Sequence, residues 1–427
     1  MHFDQTSPII KARCAGRISL SKHIDYINGD LLYLLDDRET HVYSQLKPGS
    51  GLIKLINQDF GNREFNISEL ATRLENKLDW SFYIVKLLEE LKLIERLPDQ
   101  DLIIEVKTSL PAAGGLSSSH ALLLSSIRNF AKLFELAELE ESFDNPHKDI
   151  TRTFKLIKLC QKIEQDRGFK SGLGDQCAQI FSKTGHLTNI KIFPELKVNY
   201  IPIPAELSFI TAPSFISADK STPEFIEKNR VLEKYKTVNE IAKEHDVEYL
   251  ADLLDKHDEK TIFKILGKIE DKTLRGLALY GLAESLRVKN LVKNFSCEEL
   301  GKHLKLSHQA EKIYNFKGQQ EQEITEAQKL DYLFDPKKSL AEHSGFYYAS
   351  TYANDLLQDL AINHEACFGS SISGAGFGGN NTIACKSAQT QELRDHLLVN
   401  YYKNHAPDQN LNLLHISKSN SAVSLMS

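Results

Sequence analysis

A glycine- and serine-rich segment, set between an apolar strand pattern and a long helix pattern, constrains this chain more than any other feature. Residues 101–106 (DLIIEV) read as a strand, and residues 116–136 carry apolar side chains at helical spacing. Between them runs Pro111-Ala112-Ala113-Gly114-Gly115-Leu116-Ser117-Ser118-Ser119-His120-Ala121. Glycines allow close backbone approach, and the free amides at a helix start converge on one spot. With the helix dipole, this geometry suits an anion such as phosphate. No Gly-Lys-Ser/Thr follows, so the loop is not of the Walker A kind. An ordinary capped helix, with serines satisfying orphan amides, would use the same residues, and the segment alone does not separate the two.

The surrounding pattern alternates short strands and amphipathic helices. Residues 31–35 (LLYLL) and 40–46 read as strands joined by an acidic turn, Asp36-Asp37-Arg38-Glu39. Residues 80–93 and 154–165 have helical periodicity. The second of these leads into another glycine-bearing turn, Ser171-Gly172-Leu173-Gly174-Asp175-Gln176. Residues 224–360 are mainly helical and charged, and residues 368–385 place five glycines between apolar flanks, as a loop and hairpin would.

With 427 residues the chain is too long for one small core, so two lobes are expected, residues 1–205 and 206–427. The charge of -6, from 58 acids against 52 bases with no basic block, argues against a nucleic-acid partner. The N-terminus lacks a secretory pattern and no segment is long and apolar enough to cross a bilayer, so a cytoplasmic protein without a membrane partner is expected. Six scattered cysteines, with no Cys-x-x-Cys pair, read as reduced and mostly buried thiols.

The loop at 111–121 resembles the Pro-x-x-x-Gly-Leu-Ser-Ser-Ser-Ala motif of the GHMP kinases. Upstream, Gly16-Arg17-Ile18-Ser19-Leu20-Ser21-Lys22-His23-Ile24-Asp25-Tyr26 looks like galactokinase's Gly-Arg-Val-Asn-Leu-Ile-Gly-Glu-His-Thr-Asp-Tyr. Downstream, Gly369-Ser370-Ser371-Ile372-Ser373-Gly374-Ala375-Gly376-Phe377-Gly378-Gly379 looks like its Gly-Ser-Arg-Met-Thr-Gly-Ala-Gly-Phe-Gly-Gly. Residues 170–179 are similar to its Cys-Gly-Ile-Met-Asp-Gln turn, and Trp80-Ser81-Phe82-Tyr83 echoes its Trp-x-x-Tyr. The matches keep family order from residue 16 to 379, which is far more specific than any single motif.

The resemblance implies an α+β fold of two lobes: a mixed N-terminal sheet of the ribosomal-protein-S5 type and a ferredoxin-like C-terminal lobe. It implies ATP and Mg2+ as cofactors, a small-molecule sugar as substrate, transfer to the anomeric hydroxyl of galactose or a related hexose, and a monomer or weak homodimer. Asp175 matches the catalytic aspartate, as proton acceptor or electrostatic partner, and Arg17 the arginine that polarises the acceptor hydroxyl. Gly114, Gly115, Leu116, Ser117, Ser118 and Ser119 match the ATP loop. Ser119 and Glu164 match the metal-binding pair, although the spacing before Asp175 is one residue short and a solvated helix face would also explain Glu164. His23, Asp25 and Gly172 fall where the sugar is held. Trp80 and Tyr83 match aromatics near adenine, or are core residues of an amphipathic helix.

The chain also departs from that pattern. The segment between Arg17 and His23 is one residue shorter than in galactokinase, Lys22 stands where the family has glutamate, and His120 stands where a small residue is usual. No Tyr-Asn-x-Arg counterpart is evident at 225–233. A Lys22 facing the substrate would favour a sugar with an anionic group at C6, as in galacturonate, because an ammonium cannot accept a hydrogen bond but pairs well with a carboxylate. A non-catalytic sugar sensor on the same fold is the rival from another class.

Overall fold

The computed structural model describes residues 3, 7–169, 171–217, 231–317, 320–331 and 334–426. Lys170 and most of the segment 225–233, both part of the sequence comparison above, lie outside the described residues.

β1 (Ile10–Ser19) pairs antiparallel with β2 (Leu31–Pro48), the longest strand. The turn expected at residues 36–39 does not exist: those residues lie inside β2. Their charges are neutralised where they stand. Arg38 pairs with Asp36 two residues away on the same face at 2.6 Å, His415 reaches Asp37 at 2.7 Å, and Arg13 on β1 pairs with Glu39. A strand can carry four consecutive charged side chains when counterions come from the strand itself, from β1 and from the second sheet, and local pattern does not reveal the distant ones.

One sheet has the order β14-β1-β2-β5-β3-β4, using β3 (Leu52–Ile56), β4 (Arg63–Asn66), β5 (Gln100–Thr108) and β14 (Ser424–Leu425). The first residues of β2, Leu31 to Tyr33, pair instead with β6 (His186–Lys191), which pairs with β7 (Lys197–Pro202). The helix Ser118–Leu133 lies across β1 and β2, pinned by Asn129, whose side-chain amide donates to the carbonyls of Ile10 and Val42 at 2.9 and 3.0 Å. Helices Phe82–Glu90, Ile150–Asp166 and Gly174–Phe181 pack around it.

β8 (Leu207–Pro213) begins a second, antiparallel sheet with β11 (Cys367–Ile372), β12 (Asn380–Lys386) and β13 (His415–Ser417), in the order β11-β12-β8-β13. It has its own apolar core, built on Ile210, Leu357, Ile383, Leu397 and Tyr402. Helix Cys297–Glu311 lies so close to β11 that a Cβ on Gly301 would stand 2.2 Å from the Phe368 carbonyl oxygen. The described part of 224–360 is largely helical, interrupted by the short hairpin β9 (Tyr314–Lys317) and β10 (Gln320–Glu323). The architecture is α+β. All six cysteines are free, five of them buried. Among the described residues no helix is long and apolar enough to cross a membrane.

Candidate active site

The glycine loops meet backbone to backbone. Gly115 has φ +72°, and a Cβ there would lie 2.2 Å from the Ser373 carbonyl oxygen. Ser373 Oγ donates to the Gly115 carbonyl at 2.9 Å, and the Asn380 amide donates to that of Gly114. The segments 111–121 and 369–379, far apart in the chain, thus form one wall of a cavity of about 490 Å³. Its lining includes Gly114, Gly115, Ser117, Ser118 and Ser119, together with Arg17, Trp80, Tyr83, Glu164 and Asp175. Leu116 is buried in the core; its backbone carbonyl accepts from the Arg17 amide at 3.0 Å.

Arg17 follows a bulge in β1 and sends its guanidinium toward the first turn of helix Gly174–Phe181. Its Nε and Nη2 donate to the two carboxylate oxygens of Asp175 at 2.6 and 2.7 Å, and Nη1 donates to the Gly115 carbonyl at 2.8 Å. This is the paired fork geometry that makes arginine–carboxylate bonds strong. Ser117 does not cap its helix. It sits at φ +60°, and its hydroxyl donates to Asp175 Oδ2 at 2.7 Å. Burial pushes the Asp175 carboxyl up, but the Arg17 guanidinium and these donated bonds win and hold it well below the usual carboxylate range. Asp175 is therefore ionised and remains partly open to the cavity, with 26% of its side chain exposed.

Glu164, on helix Ile150–Asp166, is buried, contrary to the solvated face that its neighbours suggest. Its Oε2 accepts from the Tyr83 hydroxyl at 3.2 Å, while Oε1 makes no hydrogen bond among the described residues. A buried carboxylate oxygen in that condition is costly, and a cation relieves it. Tyr83 thus supports Glu164, and Arg167 stacks on its ring at 4.4 Å. Trp80 lies before the helix Phe82–Glu90, half-buried, with Nε1 donating to the Gly61 carbonyl at 3.1 Å.

The residues expected to hold a sugar divide. A Cβ on Gly172 would stand 1.7 Å from Asp25 Oδ2, so only glycine admits that carboxylate. Withdrawal from water and the negative charge of Asp175 push the Asp25 carboxyl up to about 6, against a bond from the Gly174 amide. His23 adopts φ +59° and stacks on Tyr347 at 4.3 Å. Lys22 is a correction. Its ammonium is 1% exposed and paired with fully buried Glu311 of helix Cys297–Glu311, so it is not presented to a ligand. A lysine that leaves water needs a counterion, and the fold supplies one inside the protein.

Sequence reading missed several lining residues: Asn57, Phe60, Arg63, Asp79 and Arg167. The Arg63–Asp79 pair at 2.7 Å joins β4 to the approach of the Phe82 helix, and no local motif marks it. His120 was visible as a departure, but not its place beside Asp175 and Glu164.

Residues 82–183 match the model of the GHMP kinases N terminal domain. The chain is 24% identical over 380 residues to a galactokinase of Chloroflexus aurantiacus, covering 86% of this chain and 82% of that one. Its fold is similar to that of Lactococcus lactis galactokinase complexed with galactose, with a TM-score of 0.74 at 19% identity over 97% of this chain and 95% of that one. A mevalonate kinase of Methanococcus jannaschii shares the fold more loosely, with a TM-score of 0.54 at 14% identity over 92% and 96% of the two chains. The ordered motifs, the glycine loops that meet around one cavity and these similarities make the chain galactokinase-like, with a GHMP kinases N terminal domain at residues 82–183.

Proposed function

We propose that this chain transfers the γ-phosphate of ATP to a small sugar, at the anomeric hydroxyl of galactose or a closely related hexose. The observation that carries the reading is the Arg17–Asp175 pair, held at the cavity onto which the loop 114–119 opens. The names of the relatives, galactokinase in both sequence and structure, support the same acceptor class.

In this reading the amides at the start of helix Ser118–Leu133 bind the phosphates, and Trp80 offers a flat face to the adenine. Ser119 and Glu164 would hold Mg2+, which suits Glu164 Oε1, an oxygen that makes no hydrogen bond among the described residues. The metal, when bound, neutralises charge on the transferred phosphoryl group. Arg17 offsets negative charge at the acceptor oxygen. Asp175 is too acidic to take a proton readily near neutral pH, so its task is to orient the acceptor hydroxyl and balance Arg17. Asp25 and His23 hold other sugar hydroxyls beside Gly172. We take residues 1–205 and 206–427 as the two lobes, both of which contribute to the cavity lining.

A C6-carboxylate acceptor loses its main support, because Lys22 already has a buried counterion. A sugar sensor without catalysis is disfavoured by the retention of Arg17, Asp175 and the serine loop. The test is a coupled ADP-release assay over hexoses, pentoses and uronic acids. ADP release that depends on galactose or a close relative is expected. Nucleotide binding with no acceptor-dependent ADP release would favour the sensor.

A further inference from the structure

His120 is buried, 4% exposed, at the one place in the phosphate loop where the chain puts a ring instead of a small side chain. Its Nδ1 lies 3.1 Å from Ser117 Oγ. The Ser117 hydroxyl has a single proton, and that proton goes to Asp175 Oδ2 at 2.7 Å. The Nδ1 contact is therefore a hydrogen bond only if Nδ1 carries its own proton and donates to Ser117. On its other side, Nε2 lies 3.3 Å from Ser171 Oγ, next to the glycine against which Asp25 packs. The ring also stands 3.8 Å from both Glu164 Oε1 and Asp175 Oδ2. Ser117 itself is left-handed at φ +60°, a conformation that a non-glycine residue keeps only where its surroundings hold it.

We propose that His120 is a positioning residue that fastens the Ser117 hydroxyl onto Asp175 and ties both to the loop of Ser171 and Gly172, so that the Asp175 carboxylate faces the acceptor in one orientation. The proposal rests on the phosphoryl-transfer reading of Asp175 given above. It explains why a ring is accommodated in a loop built for close backbone approach: it joins the loop 111–121 to the turn 171–176, two segments that share no backbone hydrogen bond among the described residues.

Two measurements test it. In protein labelled with 15N in its histidine rings, the His120 signal is identified by its loss in His120→Asn. A protonated, exchange-protected Nδ1 is expected, and it should shift or vanish in both Ser117→Ala and Asp175→Asn. A bare Nδ1, or a signal that neither substitution moves, overturns the proposal whether or not an acceptor sugar is known. With an accepted sugar, His120→Ala should lower kcat roughly 10–100-fold, the scale of a small misplacement at a reacting centre. MgATP affinity should change little, read from the fluorescence of Trp80, the only tryptophan. His120→Asn, whose amide can donate from near the Nδ1 position, should recover much of kcat. His120→Ala combined with Asp175→Asn should be no slower than Asp175→Asn alone, since both act through one carboxylate. Additive losses, or weaker MgATP binding with unchanged kcat, would mean that His120 serves the phosphates and not Asp175. Failure of the whole sugar panel would refute the kinase reading, and the NMR result would still decide this one.

Discussion

Asp25 and Asp175 are one loop apart, yet their carboxyls are driven in opposite directions. Burial raises both; the Arg17 fork reverses the effect on Asp175, while the charge of Asp175 itself pushes Asp25 further, to about 6. Two carboxylates whose environments separate them in this way divide their roles. Asp175→Asn should lower kcat roughly 10²-fold or more, the scale of lost orientation and charge balance at a reacting centre, with MgATP binding retained, as single-turnover and titration measurements would report. Near-normal turnover in the folded variant would remove Asp175 from the chemistry. For Asp25 the sign is definite. The unfolded carboxyl releases its proton near 3.8 and the folded one near 6, so the folded state binds more protons between those values. Stability is lost as pH rises through that window, and Asp25→Asn should raise Tm at pH 7 but not at about pH 3. The sugar kcat/KM of the wild type should in turn fall as pH drops through about 6, because protonated Asp25 ceases to be a pure acceptor. Asp175, Arg17 and the serine loop were legible in the order of the motifs. The tuning of Asp25 was not, because it depends on a charge 150 positions later in the chain.

At the scale of elements, the cavity depends on two glycine turns that cross. Gly115 meets the Ser373 carbonyl, and Gly374 meets the Gly115 Cα at what would be 2.8 Å from its Cβ. Gly115→Ala should cost about 1–3 kcal/mol through its positive φ alone, and more through the clash with Ser373. Lower Tm together with weaker MgATP binding is the expected outcome, since the same loop forms the wall proposed to bind the phosphates. Unchanged MgATP affinity in a folded Gly115→Ala would show that the crossing does not shape the nucleotide site. The helices around this loop follow from periodicity: residues 80–93 give Phe82–Glu90, and residues 154–165 give Ile150–Asp166. β2 was misread as two strands because four charges in a row imitate a turn, and their counterions come from β1, β13 and the strand itself.

At the scale of the molecule, buried charge joins the segment that follows β1 to the helices beyond residue 270. Lys22 pairs with Glu311, the Tyr280 hydroxyl donates to the Lys22 carbonyl at 3.2 Å, and a His303 ring nitrogen lies 2.7 Å from the Leu20 carbonyl oxygen. Glu311→Gln strands an ammonium in the interior and should destabilise the fold by about 3–5 kcal/mol, whereas Lys22→Met with Glu311→Leu should come close to wild-type stability. Chemical denaturation of the three proteins measures this. A mild single variant would mean that water reaches Lys22. Lys22→Glu would set two carboxylates against each other in the interior, so it should unfold the protein before it alters specificity.

The sequence alone determined the α+β class and the glycine loop, and marked Arg17 and Asp175 as candidates that the fold then brings to one cavity, because glycine conformations, helix starts and motif order are written in neighbouring residues. Only the tertiary structure decided where Lys22 directs its charge, what His120 touches and which way Asp25 titrates. Lys22 meets its partner 289 residues along the chain, and a buried charge takes its energy from whichever group shares its dry surroundings, not from the residues beside it in sequence.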